Sequence, residues 1–236
     1  MSESPEPALT ILSGGAANGL VSRLEPRFTR ETGLAIRGDF GAVGAVRDRI
    51  VAGEAVDIII LTHALVDALA DDGHAERASI RDIGTVTTGI GVQSGEPIPD
   101  VSTPEALRSL LSDATALYVP DTTRSTAGRH VAGVLAALGL ASRFGPHLKE
   151  FPNGQTAMRA MAADAIPGAV GCTQITEILN TEGVDYAGDL PGAHGLATVY
   201  TAAVHSAAAN ADAARRLVTI LTDPAEADAR RAAGFA

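Results

Sequence analysis

Residues 118–130 read YVPDTTRSTAGRH, an unusual density of hydrogen-bonding groups between the apolar run TALYV and the helix-length run VAGVLAALG. Thr122, Thr123, Ser125 and Thr126 offer hydroxyls that can cap the coming helix or bond a ligand. Ala127-Gly128 permits close approach of a ligand to the backbone. Arg124 and Arg129 can each make forked, charge-assisted bonds to a carboxylate. One hydroxyl suffices for a cap, so the surplus points to a binding site. A second polar cluster, PNGQTAMR at 152–159, sets Asn153, Gln155, Thr156 and Arg159 at another helix start. Its alternative reading is an ordinary Asn-Gly turn with a cap.

Groups able to move a proton near neutral pH are few. Of the six histidines, His63 directly follows the run VDIIIL, and His130 closes the polar stretch. Both are candidates for acid–base work. Cys172 is the single cysteine, which rules out an intrachain disulfide. It is expected at the end of the strand GAVGC, where a thiol would meet a pocket. Tyr200, in a late strand, suits an acid better than a base. No histidine pair has helical metal spacing with supporting carboxylates, so no metal site and no cofactor are expected. G-x-S-x-G, a P-loop and G-x-G-x-x-G after a strand are all missing, which argues against hydrolase, nucleotide and dinucleotide chemistry.

The elements that must position these residues alternate between strand and helix, which predicts an α/β fold. Strands are expected at ALTIL, LAIRGDF, VDIIIL, TVTTGIGVQ, TALYV, GAVGC and LATVYTAAV, with helices between them. VDIIIL is almost entirely β-branched or leucine, as a strand covered on both faces should be. Four segments follow predicted strands: SGGAANG, FGAVG, LTHA and PDTTRSTAGRH. In open α/β sheets ligands sit beyond the carboxyl ends of the strands, facing helix N-termini that favour negative charge.

Composition narrows the partners. The 236 residues are 46% hydrophobic and only 3% aromatic, so the core must be built of Ala, Val, Leu and Ile. The net charge of -10 repels phosphate backbones and anionic membranes. Nucleic acid is therefore not expected as a partner. No apolar run reaches membrane-spanning length, so membrane insertion is not expected either. The start MSESPEPALTIL has neither a basic n-region nor a long apolar h-region. The expected location is cytoplasmic, or periplasmic if an export leader has been removed.

The chain resembles the molybdate-binding-protein-like branch of the type II periplasmic binding proteins over nearly its whole length. The resemblance rests on ILSGGAANGL, FGAVGAVRDRIVAGEAVDIIILT, YVPDTTRSTAGRHVAGVLAALG and IPGAVGCTQITEIL. It implies two α/β lobes with a ligand cleft between them, expected at 1–84 with 205–236 and at 85–204. It implies ligand contacts at Ser13, Gly14, Gly15, Ala42, Val43, Thr62, Arg124, Ser125, Thr126, Ala127 and Thr173, to which the second polar cluster adds Thr156 and Arg159. Molybdate binders place serines in the first two loops and commonly a tyrosine after the later strand. Here Gly15, the hydroxyl-free Gly41-Ala42-Val43-Gly44 and Cys172 stand there. The pattern is more similar to a subgroup that contains aconitate isomerase, which implies a small anionic polycarboxylate ligand.

Three functions follow as expectations. The first is a cofactor-independent isomerase of an unsaturated polycarboxylate, working by an allylic proton shift, with His63 ranked first as base and Cys172 and His130 after it. The second is the substrate-binding protein of an ABC importer for an organic or inorganic oxyanion, with an ABC permease as partner only in that case. The third, a cytoplasmic sensor, ranks last because no output segment is visible.

Overall fold

The computed structural model describes residues 8–145 and 147–236. The opening MSESPEP, which enters the reading of export, lies outside the described residues. In chain order the first elements are β1 (Ala8–Gly14), α1 (Asn18–Thr32), β2 (Ala35–Gly41), α2 (Val43–Val51), β3 (Ile58–Thr62), α3 (His63–Asp71) and β4 (Arg81–Gln93). Then follow α4 (Pro104–Asp113), β5 (Leu117–Pro120), α5 (Thr126–Ala137), α6 (Ala141–Phe144), β6 (Leu148–Phe151), α7 (Gly154–Asp164), β7 (Val170–Gln174), α8 (Ile175–Leu179) and β8 (Val184–Asp189). The chain closes with β9 (Ala197–Val204), α9 (Ala211–Thr222) and α10 (Ala227–Ala232).

Two compact units result: residues 1–84 with 199–236, and residues 85–198. The chain leaves the first unit within β4 and returns within β9. The return comes at 198/199 rather than at the expected 204/205, because Tyr200–Val204 pair with β3 and so belong to the first unit.

In the first unit the strands run in the order β2, β1, β3, β9. β1 lies parallel to β2 and to β3, and β9 is antiparallel to β3. Ile58, Ile59, Ile60 and Leu61 are all fully buried, as their unbroken apolar run demands. The buried faces of α1 (Leu20, Leu24, Phe28) and α9 (Leu217, Ile220, Leu221) complete the core. Gly33 ends α1 at φ 73°, a left-handed stop open to glycine without steric cost. Buried Asp57 accepts bonds from the Thr10 and Asn210 amides, tying the sheet to the start of α9.

In the second unit β5 is parallel to β6 and to β7, while β7 and β8 flank β4 in antiparallel register. One core cluster holds Ile90, Leu107, Leu117, Val131 and Phe144, and another holds Tyr118, Ala157, Met158 and Ile178. A helix cap forms at Thr103-Pro104-Glu105: Thr103 accepts from the Ala106 amide at 3.1 Å, with Pro104 in the first turn. β6 and β8, LKEF and VDYAGD, went unpredicted because both mix charged and apolar residues. β7 runs two residues beyond the predicted end, through Thr173 and Gln174.

Candidate functional site

The first unit builds its candidate site from backbone. The β1–β2 register sets Ser13 opposite Phe40 and Gly14 opposite Gly41, and the β1–β3 register sets Ser13 opposite Ile60. The carboxyl ends of the three parallel strands therefore lie along one edge. A 3-10 turn (Gly15–Ala17), α2 and α3 begin there, preceded by Gly14, Ala42 and Thr62. None of these preceding residues caps its helix with a side chain, and no acidic residue sits in any of the three first turns. Helix starts without such caps leave backbone amides at the positive ends of the helix dipoles, an arrangement that suits an anion.

Gly14 has a packing reason as well. A Cβ there would stand 2.8 Å from Val43 Cγ1 and 3.0 Å from Tyr200 Cε1. Buried Tyr200, opposite Thr62 in β9, thus lies against the first loop. The Ser13 hydroxyl is fully buried and donates to the Gly14 carbonyl at 2.8 Å, so its proton stabilises the loop itself.

His63 is the first residue of α3, and its side chain is 48% exposed. Its Nδ1 lies 2.7 Å from Asp82 Oδ1, and its Nε2 lies 3.3 Å from Asp67 Oδ2. The hydrogen bond with Asp82 is the main reason its pKa stands above the ordinary 6.5. Burial works to raise the Asp82 carboxyl, yet bonds from Thr201 and His63 leave it below its usual range. Sequence reasoning missed Asp82, a single acid on a strand with no motif around it.

The second unit presents side chains instead. Asp121 Oδ1 accepts from the Thr123 amide at 2.8 Å, the Thr123 hydroxyl at 2.7 Å and the Arg124 amide at 2.8 Å. The Thr122 hydroxyl donates to Glu150 at 2.9 Å, and Ser125 caps α5 by accepting from the Gly128 amide at 3.3 Å. Arg129 donates to the Thr123 carbonyl at 3.1 Å. Most of the hydroxyl surplus in this stretch therefore serves the turn itself, which corrects the inference that the surplus implied a ligand. Thr126 and Arg124 remain. Arg124 is exposed and makes no ion pair among the described residues, though its charge helps hold Asp121 low.

Gly128 answers to the backbone alone, and Ala127 beside it is buried. A Cβ on Gly128 would stand 2.1 Å from the Asp121 carbonyl oxygen and 2.5 Å from that of Pro120. Neither atom can step aside without moving the end of β5. Gly128→Ala is expected to cost about 2–3 kcal/mol, seen as a melting temperature lowered by roughly 5–10 °C. An unchanged melting curve would show that α5 can slide freely along β5.

At α7 the Asn153 side chain accepts from the Thr156 amide at 2.8 Å and the Thr156 hydroxyl at 2.9 Å. The amides of Gly154, Gln155 and Gln174 turn to Glu177, and the Thr173 hydroxyl donates to it at 2.6 Å. Burial pushes the Glu177 carboxyl up, and those donors oppose it. This helix start thus carries a carboxylate of its own and leaves Thr156 and Thr173 no spare hydroxyl proton. Gly154 makes room for it, since a Cβ there would stand 2.0 Å from Glu177 Oε2. Glu177 in the first turn of α8, four residues after Thr173 at the end of β7, was the available signal for a carboxylate at this junction. Arg159, one turn beyond Thr156, is exposed and makes no ion pair among the described residues.

The other two candidate proton carriers have structural partners. Cys172 stands mid-strand opposite Ile90 in the core, and burial pushes its thiol up to about 12. A thiol so held is a poor base. The longer β7 explains the misplacement, because alternation turns Cys172 inward. His130 Nε2 donates to the His194 carbonyl at 2.7 Å, which anchors the ring to the turn Gly192–His194. No group of three or more His, Cys, Asp or Glu among the described residues could hold a metal ion. Nor is any helix among them long and apolar enough to cross a membrane.

Comparison with known proteins agrees with this layout. The chain is 24% identical over 243 residues to an aconitate isomerase of Pseudomonas sp, covering 100% of this chain and 90% of that protein. Its fold matches the Azotobacter vinelandii periplasmic molybdate-binding protein at a TM-score of 0.78 and 18% identity, over 97% and 98% of the two chains. It also matches a sulfate-binding protein from Mycobacterium tuberculosis at a TM-score of 0.72 and 16% identity, over 97% and 86%. These likenesses establish the type II periplasmic-binding-protein fold. The model for bacterial extracellular solute-binding proteins matches residues 9–236, and with that match the chain belongs to the bacterial extracellular solute-binding protein family.

Proposed function

We propose that the protein isomerises a small unsaturated polycarboxylate of the aconitate type, with His63 as the base. The observation that carries this reading is His63 itself: an exposed imidazole, paired with Asp82 at 2.7 Å, at one of three uncapped helix starts on one sheet edge. Those amides bind one carboxylate; in the second unit the exposed Arg124 and Arg159 are forked donors suited to carboxylates. His63 Nε2 takes a proton from the methylene carbon next to a carboxylate. The C–H electron pair forms a new double bond to the central carbon, the old π pair shifts to the far carbon of the allylic unit, and the same proton returns there. No bond order is lost overall, nothing is oxidised, and no cofactor enters the step. The likeness to an aconitate isomerase along the whole chain supports the same chemistry.

A second reading rests on the amides. Three uncapped helix starts can hold an oxyanion without any proton transfer, and both matched solved structures are named for the inorganic anion they bind. In that reading the protein delivers an anion to an ABC permease and works outside the cytoplasm. One experiment separates the two. Purified protein is incubated with cis-aconitate and followed by proton NMR, while melting shifts are compared for cis-aconitate, trans-aconitate and molybdate. Isomer formation with carboxylate-induced stabilisation supports the enzyme. Stabilisation without turnover leaves the capture protein, and stabilisation by molybdate alone removes the polycarboxylate.

A further inference from the structure

His63 has partners that no strand-end motif supplies. Its ring nitrogen Nδ1 faces Asp82 Oδ1 at 2.7 Å and Thr201 Oγ at 3.3 Å. The Thr201 hydroxyl in turn donates to the same Asp82 oxygen at 2.6 Å. Thr201 is fully buried in β9, so it fixes the carboxylate from a rigid strand. The second acid at the ring, Asp67, sits on α3 itself and meets Nε2 at 3.3 Å. Arg77 lies 3.7 Å from Asp67 and draws off part of that carboxylate's charge. Three chain segments, β4, α3 and β9, therefore converge on one imidazole.

Asp82 is ionised and can only accept a hydrogen bond from the ring, so Nδ1 must carry the hydrogen. In the neutral ring the single hydrogen goes to the shorter contact, 2.7 Å to Asp82 against 3.3 Å from Nε2 to Asp67, and the lone pair is left on Nε2. Left to itself a histidine has no such constraint on its tautomer.

We propose that Asp82, anchored by Thr201, is a positioning residue that holds His63 in the Nδ1–H tautomer and so makes Nε2 the atom that accepts the substrate proton. The inference rests on the isomerase reading only for what the proton acceptor is used for; the tautomer itself is independent of it. A carboxylate behind the ring also stabilises the imidazolium formed once the proton has been taken. The charged groups facing the ring are Asp82, Asp67 and, through Asp67, Arg77.

The test uses 15N-labelled full-length protein, with ring nitrogens followed by long-range proton–nitrogen NMR across a pH titration. In the parent, His63 above its pKa is expected to show the Nδ1–H pattern. In Asp82→Ala the Nε2–H pattern is expected to take over, and the titration midpoint to fall toward that of a free histidine. Thr201→Val, close in shape, is expected to shift the balance partway, and Thr201→Ser to restore the parent pattern. With cis-aconitate, kcat of Asp82→Ala is expected to fall at least roughly tenfold, with KM within about twofold. A parent His63 in the Nε2–H tautomer, or an Asp82→Ala protein with unchanged tautomer and midpoint, would overturn the inference. Absence of turnover in the parent, with the tautomer dependent on Asp82, would instead remove the isomerase reading and leave the positioning role standing.

Discussion

Replacing Arg124 and Arg159 together with alanine is expected to weaken binding of a tricarboxylate at least roughly a hundredfold, with little change in folding stability. A hydrogen bond to a charged group contributes about 1.5–3 kcal/mol. Two of them lost correspond to about 3–6 kcal/mol, a factor of roughly a hundred to ten thousand in Kd. The fold should tolerate the change, because both side chains are exposed and neither makes an ion pair among the described residues. Titration calorimetry measures the first effect and a melting curve the second. Lysine at both positions should restore the charge but not the forked geometry, and so recover only part of the affinity. Unchanged calorimetry in the alanine protein would move ligand recognition wholly onto the amides of the first unit.

His63→Gln is expected to retain ligand-induced melting stabilisation while losing turnover by a factor of roughly a hundred or more. Glutamine keeps a hydrogen-bonding end but has no group that takes up a proton near neutrality. The pH profile of the parent gives an independent check. A base must be neutral to act, and Asp82 raises the pKa of His63 above 6.5. The acid limb of the rate profile should therefore fall on the alkaline side of the ordinary histidine value. Folding carries the opposite sign. A raised pKa means that the stability this ion pair contributes is complete below 6.5 and is lost as pH rises through the raised value. His63 is half exposed, so solvent screening keeps that contribution small. A variant that isomerises at the parent rate would exclude His63 as the base.

Taken by itself, the amino-acid sequence determined the α/β alternation, the buried β3 and the row of strand-to-helix junctions. These are local: each depends on residues within a turn or two, where periodicity, caps and backbone freedom decide the outcome. It also singled out His63, because a histidine directly after a buried strand must emerge at that strand's end. Other features were decided only by tertiary structure. Thr122 and Thr123 looked like spare donors until Glu150 and Asp121 were seen to accept from them, and Ser125 until its oxygen was seen to accept from the Gly128 amide. Cys172 looked like the end of a strand until Thr173 and Gln174 extended β7, with the Thr173 hydroxyl and the Gln174 amide satisfied by buried Glu177. Asp82 and Thr201 lie 19 and 138 residues from His63 along the chain. Thr201 reaches it because β9 returns antiparallel beside β3, and Asp82 because it stands at the start of β4, the strand next to β9. A hydrogen bond depends on the distance between two atoms in space, and a linear pattern of residue types records separation only along the chain.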